Sequence, residues 1–337
     1  MAAWRRISSA AVVTALMAAT TGSATALAQE PASTGQQAPG TEQSGARFKS
    51  AVDLVSVVAV VRDRKGRFVP DLSQRDFIVV ESGQNRPIVG FKAEADGPVR
   101  LAIVFDVSGS MRVGSKAADA KAAARQILST LGGSDQAALF SFDTKLERVR
   151  DFTSDFASLD AALERVDKPY GQTSLYDAVA ETARAVAGES HEKATPQRSA
   201  VVVLTDGIDT HSRLTPGQVS GIASEIDIPV YVVAVMSTID DPRMFDAPEA
   251  QAAGGLRDLA HWTGGELFTV IAPAQTSIAA RQIVSELRHQ YLLAFEASPS
   301  PGWRSLEIKT RGRELVVRAR SGYTSGGRPG TDVSTRD

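Results

Sequence analysis

A short segment at the end of one apolar run carries an acid and two hydroxyl groups at regular spacing. In "LAIVFDVSGS", the apolar stretch is followed by Asp106, Ser108 and Ser110, with Gly109 between the two serines. Side chains two residues apart point to the same side of an extended chain, and a glycine lets the backbone bend tightly. These groups could act as a nucleophile, cradle a phosphate or coordinate a metal ion.

Two further polar residues, later in the chain, also lie next to segments that predict regular structure. Asp206 comes directly after the apolar run "AVVVLT", and Thr173 lies in "YGQTSLYDAV", just before a segment with helical periodicity. In an open α/β sheet, ligands bind beyond the carboxyl ends of the strands, where the strand order reverses. If the order is 3-2-1-4-5, the strands that end at Asp106 and Asp206 flank that point, and we expect their carboxylates to face one another.

Together the five side chains offer the oxygen ligands that hard cations prefer. Such a set favours Mg²⁺, with Mn²⁺ or Ca²⁺ also acceptable, over zinc or copper. Three of the five groups are neutral hydroxyls, so a divalent ion held by them still requires an anionic ligand. We therefore predict a metal site that a carboxylate on a partner protein completes.

The segments around these residues predict an α/β domain over residues 98–290. Apolar runs at 101–105, 136–142, 200–204 and 230–235 are typical of strands that are covered on both faces. Between them, apolar residues repeat with the period of a helix. This alternation predicts a doubly wound, mostly parallel sheet with helices on both faces.

Runs of β-branched residues, separated by turn clusters, flank this domain at 48–97 and 291–323. Each flank offers three strands, which are too few to enclose a good core. We therefore predict that the flanks pair into one β-sandwich with the α/β domain inserted between them. Two separate small β lobes are the alternative.

The two ends of the chain have other compositions. Residues 1–28 contain two arginines, a short apolar stretch and an Ala-Leu-Ala sequence, which predict a signal peptide cleaved after Ala28. Residues 29–47 and 324–337 are rich in small and polar residues and predict a disordered linker and a disordered tail.

Composition excludes several classes of protein and site. A net charge of −2 offers no basic surface for nucleic acid. No segment of the mature chain approaches the roughly 20 apolar residues that span a bilayer. The absence of cysteine excludes thiolate zinc sites, cysteine nucleophiles and lipoprotein attachment. We expect an exported protein, periplasmic or secreted, that is not a lipoprotein.

The three motifs resemble the metal-ion-dependent adhesion site of von Willebrand factor type A domains. "DVSGS", the threonine of "GQTSLYD" and the aspartate of "LTDG" supply all five positions of that pattern, and the resemblance covers roughly residues 98–290. It implies that the two serines and, in the ligand-bound state, the threonine coordinate the ion directly, while the aspartates act largely through water. The flanking segments also look like those of a bacterial exported subfamily that is often labelled VWFA-related.

Enzymatic alternatives fit the residues less well. A phosphate-accepting aspartate of the haloacid-dehalogenase type needs a second acid two residues later, where Ser108 stands. "GSMRVGSK" nearly spells a P-loop, but Ser115 follows Gly114 where a lysine is required. A serine hydrolase needs a base, and His211 is a single loop histidine with no G-x-S-x-G elbow around either serine. We predict an adhesion-type binding module without catalytic activity.

Three other interpretations stay open at this point. The ion could be only a staple in a structural subunit of an envelope complex. The five polar residues could merely cap helices and turns, in a site that has lost its metal. The acidic segment 237–255 could be a second calcium site or a mobile loop at the rim of the crevice.

Overall fold

The computed structural model describes residues 54–94, 97–166, 170–191, 198–225, 227–237, 255–311 and 314–325. The predicted signal peptide and linker, the predicted tail beyond Ser325, and all of the acidic segment except its two end residues lie outside these ranges. The first two residues of the predicted disordered tail, Thr324 and Ser325, instead belong to the last strand, where they pair with a neighbouring strand. Within the ranges, no helix is long and apolar enough to cross a membrane.

The described chain contains strands and helices in an order that places β segments on both sides of an alternating region. The strands are β1 (Leu54–Arg62), β2 (Phe77–Glu81), β3 (Gln84–Arg86), β4 (Ile88–Glu94), β5 (Val99–Asp106), β6 (Gln136–Phe142), β7 (Leu146–Thr153), β8 (Arg198–Thr205), β9 (Val230–Val235), β10 (Leu267–Val270), β11 (Gln290–Glu296), β12 (Gly302–Thr310), β13 (Val316–Ala319) and β14 (Gly322–Ser325). The helices are α1 (Lys116–Leu128), α2 (Phe156–Glu164), α3 (Leu175–His191), α4 (Pro216–Glu225), α5 (Leu256–Trp262) and α6 (Pro273–Arg288).

The central sheet has the strand order β10-β9-β8-β5-β6-β7. Five of these strands are parallel, and β7 runs antiparallel to β6 at one edge. Side chains of β5 alternate between two cores, with Ile103 and Phe105 on one face and Ala102 and Val104 on the other. Helices α1, α2 and α6 cover the first face, and α3, α4 and α5 cover the second. The predicted doubly wound, mostly parallel sheet is confirmed.

Two strands of this sheet were not expected from the sequence. The edge strand β7 is mostly solvent-facing, so its sequence "LERVRDFT" lacks the apolar run that identifies a buried strand. Strand β10 has only four residues, too few to show a period. Both are added at the outside of the sheet and leave the order of the inner strands unchanged.

The flanking segments form two four-stranded antiparallel sheets, β13-β1-β11-β4 and β14-β12-β2-β3. Each sheet joins the two flanks, because β1 pairs with β11 and β2 pairs with β12. Residues from both sheets share one apolar core: Val57, Ala59, Val61, Phe77, Val79, Tyr291, Leu293, Phe295, Leu306, Ile308 and Tyr323. This confirms the predicted single β-sandwich and excludes two separate lobes. Each flank supplies four strands, not three, while the exact domain limits stay a prediction.

A buried charge cluster connects the sandwich to the α/β domain. Glu286, on α6, is fully buried and forms ion pairs with Arg62 of β1 and Arg318 of β13. Its carboxylate also accepts a hydrogen bond from the Tyr231 hydroxyl of β9 at 2.8 Å. Only His289 separates α6 from β11, so the same helix is joined to the sandwich by both the chain and the charge cluster.

Removing the Glu286 carboxylate should destabilise the protein strongly. Glu286→Ala removes the carboxylate that Arg62 and Arg318 share and leaves Arg318 with Glu266, and removing one partner of a buried ion pair costs about 3 to 5 kcal/mol. The free energy of unfolding from urea titration measures this loss. Asp151→Ala, which removes an exposed partner of Arg148, is the control and should change stability by less than about 1 kcal/mol. Equal effects of the two substitutions would contradict the role of the cluster.

Candidate metal site

The five candidate residues lie at the carboxyl edge of the central sheet, where β5 and β8 are parallel neighbours. Asp106 is the last residue of β5, and Asp206 directly follows β8. Strand β6 lies on the other side of β5, so the strand order reverses between β5 and β8, as the predicted order 3-2-1-4-5 requires. The other four residues come from three segments, named the first loop (107–115), the second loop (170–174) and the third loop (206–215).

Direct contacts link four of the five residues into one chain. Asp106 is fully buried and accepts a hydrogen bond from the Ser108 backbone N–H at 2.8 Å and from the Thr205 hydroxyl at 2.5 Å. The hydroxyl oxygens of Ser108 and Ser110 lie 3.1 Å apart. Ser110 Oγ in turn donates to Asp206 Oδ1 at 3.1 Å. Both carboxylates and both serines therefore belong to a single cluster.

Thr173 is buried in the second loop, which backbone hydrogen bonds join to the other two loops. The Gly109 N–H donates to the Gly171 carbonyl at 2.9 Å. The Thr173 carbonyl accepts from the N–H groups of Thr210 and His211, at 3.0 and 2.8 Å. A Cβ on Gly109 would lie 3.1 Å from the Gly171 carbonyl oxygen, so glycine permits the close approach of the first two loops.

Two other acids fix the second and third loops. Asp209 Oδ1 accepts from the Leu175 N–H, the first of α3, at 2.9 Å and thereby caps that helix from the third loop. Asp177, in the first turn of α3, accepts from the Leu214 N–H at 2.9 Å. These two carboxylates hold the loops in place and do not join the cluster of candidate ligands through any contact described here.

A lysine that the sequence patterns did not single out also reaches the cluster. Lys116 is the first residue of α1, and its Nζ donates to Asp206 Oδ2 at 3.1 Å. Both side chains are buried, with 4% and 1% of their surface exposed. The helical periodicity is the one sequence signal that Lys116 is buried. It lies four residues before Ala120 and eight before Ala124, both of which face the core.

Burial makes negative charge expensive in this cluster. Loss of water raises the pKa of Asp106 to about 6, although hydrogen bonds from Ser108 and Thr205 oppose the increase. The neighbouring charge of Asp206 raises that pKa further. Two carboxylates that share a dry site in this way are stabilised by a cation.

The donors fit a small, hard divalent ion. All candidate ligands are oxygens, and the two contacts of 3.1 Å within the cluster are close to the spacing of about 2.9 Å between adjacent ligands of octahedral Mg²⁺. Among the described residues, no group of three or more His, Cys, Asp or Glu side chains has an arrangement that could hold a metal. The oxygen ligands and their spacing make the hydroxyl-rich cluster the candidate metal site.

The segment that carries this cluster also matches a known family. Residues 101–208, from β5 to the third loop, match the profile of the von Willebrand factor type A domain. The chain is therefore similar to von Willebrand factor type A (VWA) domains over this segment. The matched segment includes all five candidate ligands, so the resemblance found in the motifs extends to the whole segment between them.

Several solved structures resemble the chain at low identity. BatB from Bacteroides thetaiotaomicron, described as a conserved hypothetical protein, is 18% identical, with a TM-score of 0.43 over 56% of this chain and 98% of BatB. A von Willebrand factor type A protein from Catenulispora acidiphila is 15% identical, with a TM-score of 0.44 over 86% of this chain and 78% of that one.

A third similar structure is proximal thread matrix protein 1 from the mussel byssus, whose MIDAS motif is occupied by zinc. It is 18% identical, with a TM-score of 0.44 over 61% of this chain and 49% of the mussel protein. At such identities and scores, none of the three structures assigns a function to this chain. Comparison with curated proteins found no significant match.

The raised pKa of Asp106 predicts a pH-dependent gain in stability for Asp106→Asn in the absence of metal. Because the folded-state pKa of about 6 exceeds the reference value of 3.8, the protonated carboxyl favours folding at low pH, and this stabilisation is lost as the pH rises through 6. Asparagine does not ionise, so in EDTA the variant should be more stable than the wild type at pH 7.5, by about 3 kcal/mol.

Most of this difference should disappear at pH 4.5, and urea titrations at the two pH values measure it. Asp151→Asn, which changes an exposed carboxylate, serves as the control and should show no such pH dependence. A difference that is the same at both pH values would show that Asp106 is not destabilised by its charge.

Proposed function

We propose that the VWA domain is a divalent-metal-dependent module that captures a partner protein through an Asp or Glu carboxylate of that partner. The observation that carries this proposal is the continuous cluster from Asp106 through Ser108 and Ser110 to Asp206 at the carboxyl edge of the sheet. Hydroxyls make up three of the five candidate ligands, which leaves a divalent ion underneutralised by the protein.

The burial of the cluster gives the site one open side. Asp106 and Ser108 are fully buried, whereas Ser110 is half-buried at the surface of the first loop. Each of the three loops also carries an exposed apolar or aromatic residue: Val113, Tyr170 and Ile208. A carboxylate from another protein would enter from this side.

The proposed roles of the residues follow from their positions. Ser108, Ser110 and Thr173 would supply direct oxygen ligands, as the family resemblance implies, and a bound Mg²⁺ would supply the positive charge that attracts the partner. Asp106 orients the first loop by accepting the Ser108 N–H, and Asp206 orients the Ser110 hydroxyl. Mn²⁺ or Ca²⁺ would satisfy the same oxygen ligands.

The same contacts favour binding over catalysis and capture over a structural staple. The two acids of the cluster hold two backbone N–H groups, two hydroxyls and an ammonium group, which are positioning contacts. Backbone hydrogen bonds at Gly109 and Thr173 already join the three loops, so an ion is not needed to connect them. We propose a non-enzymatic role for this reason, and we propose export of the protein because residues 1–28 predict a signal peptide.

Removing one hydroxyl ligand should weaken metal binding without unfolding the domain. We expect Ser110→Ala to lower the affinity for Mn²⁺ or Mg²⁺ by at least about tenfold, since one of few direct ligands is lost. Isothermal titration calorimetry measures this affinity. Ser115→Ala removes an exposed hydroxyl from the same loop and should bind the ion as the wild type does.

A second measurement distinguishes capture from a staple. Mn²⁺ with an open coordination position holds exchangeable water, which enhances the relaxation of solvent protons. A short peptide with one Glu should displace this water and reduce the enhancement, whereas the matched Gln peptide should not. Metal binding that raises the melting temperature but leaves the two peptides indistinguishable would favour the staple and contradict the proposed capture.

A further inference from the structure

The Lys116 ammonium is the one positive charge that direct contact places in the described candidate metal site. It lies 3.1 Å from Asp206 Oδ2, while Ser110 occupies the other oxygen of the same carboxylate. Lys116 and Asp206 are both almost fully buried, so solvent screens their interaction weakly. A cation that entered the cluster would share Asp206 with this ammonium group.

The position of Lys116 is unfavourable for a lysine unless the ion pair compensates. It begins α1, where the partial positive charge of the helix terminus disfavours a cation. Burial removes the water that an ammonium group prefers. The preceding residues, from Arg112 to Ser115, are exposed, so the surface is near and a long flexible side chain could reach it. Lys116 instead points inward to Asp206.

We propose that Lys116 is a resident cation of the site, which stabilises Asp206 in the metal-free protein and keeps the intrinsic affinity for divalent ions low. This inference rests on the proposed function and concerns how the affinity of the site for a divalent ion is controlled. With Lys116 present, the two aspartates and the lysine carry a net charge of −1, compared with −2 for the aspartates alone. A divalent ion is therefore attracted less strongly by the protein by itself.

This charge balance makes metal binding depend on the partner. A partner carboxylate restores the missing negative charge, so the ion and the partner should each raise the affinity of the site for the other. Without the partner, the ammonium group holds Asp206 and the domain stays folded. The lysine thus favours joint binding of ion and partner over binding of the ion alone.

The test compares the Mn²⁺ and Mg²⁺ affinities of the wild type and Lys116→Met by isothermal titration calorimetry at pH 7.5. Methionine keeps much of the length of the side chain and removes its charge. We expect the variant to bind both ions at least about tenfold more tightly. Lys121→Met removes the same charge from α1 about 7 Å farther along its axis and should stay within twofold of the wild type.

A second readout is the melting temperature of the two proteins in EDTA and in Mg²⁺. Lys116→Met should melt below the wild type in EDTA, because Asp206 loses its counter-ion, and should gain more than the wild type from Mg²⁺. If Lys116→Met does not fold in EDTA, Lys116→Gln prepared in Mg²⁺ provides the affinity measurement.

The possible outcomes separate this inference from the proposed function. Equal affinities for the wild type and Lys116→Met would overturn the role of Lys116 while metal binding stands. Binding of the ion by Lys116→Met alone would support the resident cation. A Glu peptide should then restore Mn²⁺ binding to the wild type, and its failure to do so would contradict metal-dependent capture by the natural protein. Absence of binding in both proteins would overturn both proposals.

Discussion

Asp106 and Asp206 place two buried carboxylates at the ends of neighbouring parallel strands, where little water screens their charge. The polar groups that contact these carboxylates moderate the repulsion between them. Hydrogen bonds from Ser108 and Thr205 stabilise Asp106, and Lys116 pairs with Asp206. The proposed divalent ion would offset the repulsion between the two carboxylates most strongly, because it carries two positive charges. Since it would still lack one anionic ligand, the same electrostatics would allow the site to bind a partner carboxylate.

The scaffold presents these groups with little need for rearrangement. Backbone hydrogen bonds join the first loop to the second and the second to the third, and the acids of α3 and the third loop fix their positions. Oxygens that are already held in place lose little conformational freedom when an ion or a partner binds. The close approach of the first and second loops depends on glycine at position 109, because a Cβ there would crowd the second loop.

The β-sandwich is physically continuous with the domain that carries the site. Helix α1, which begins at Lys116, packs in the same apolar core as α6. Helix α6 then presents Glu286 to arginines of β1 and β13, and the chain passes through His289 into β11. The site, the two helices and the sandwich thus form an uninterrupted series of packed elements within the described part of the chain.

The sequence by itself predicted the α/β core, from its periodicity, and the pairing of the flanks into one sandwich, from the number of strands that a core needs. It also singled out the five polar residues, because parallel strands end at one edge of a sheet, and their role as metal ligands stays a prediction. Strand β7 escaped prediction because an edge strand need not be apolar. Lys116 escaped because its partner, Asp206, is 90 residues away, and only the folded chain brings the two together. Whether a charged side chain is solvated or buried against a distant acid depends on tertiary packing, which local sequence patterns do not encode.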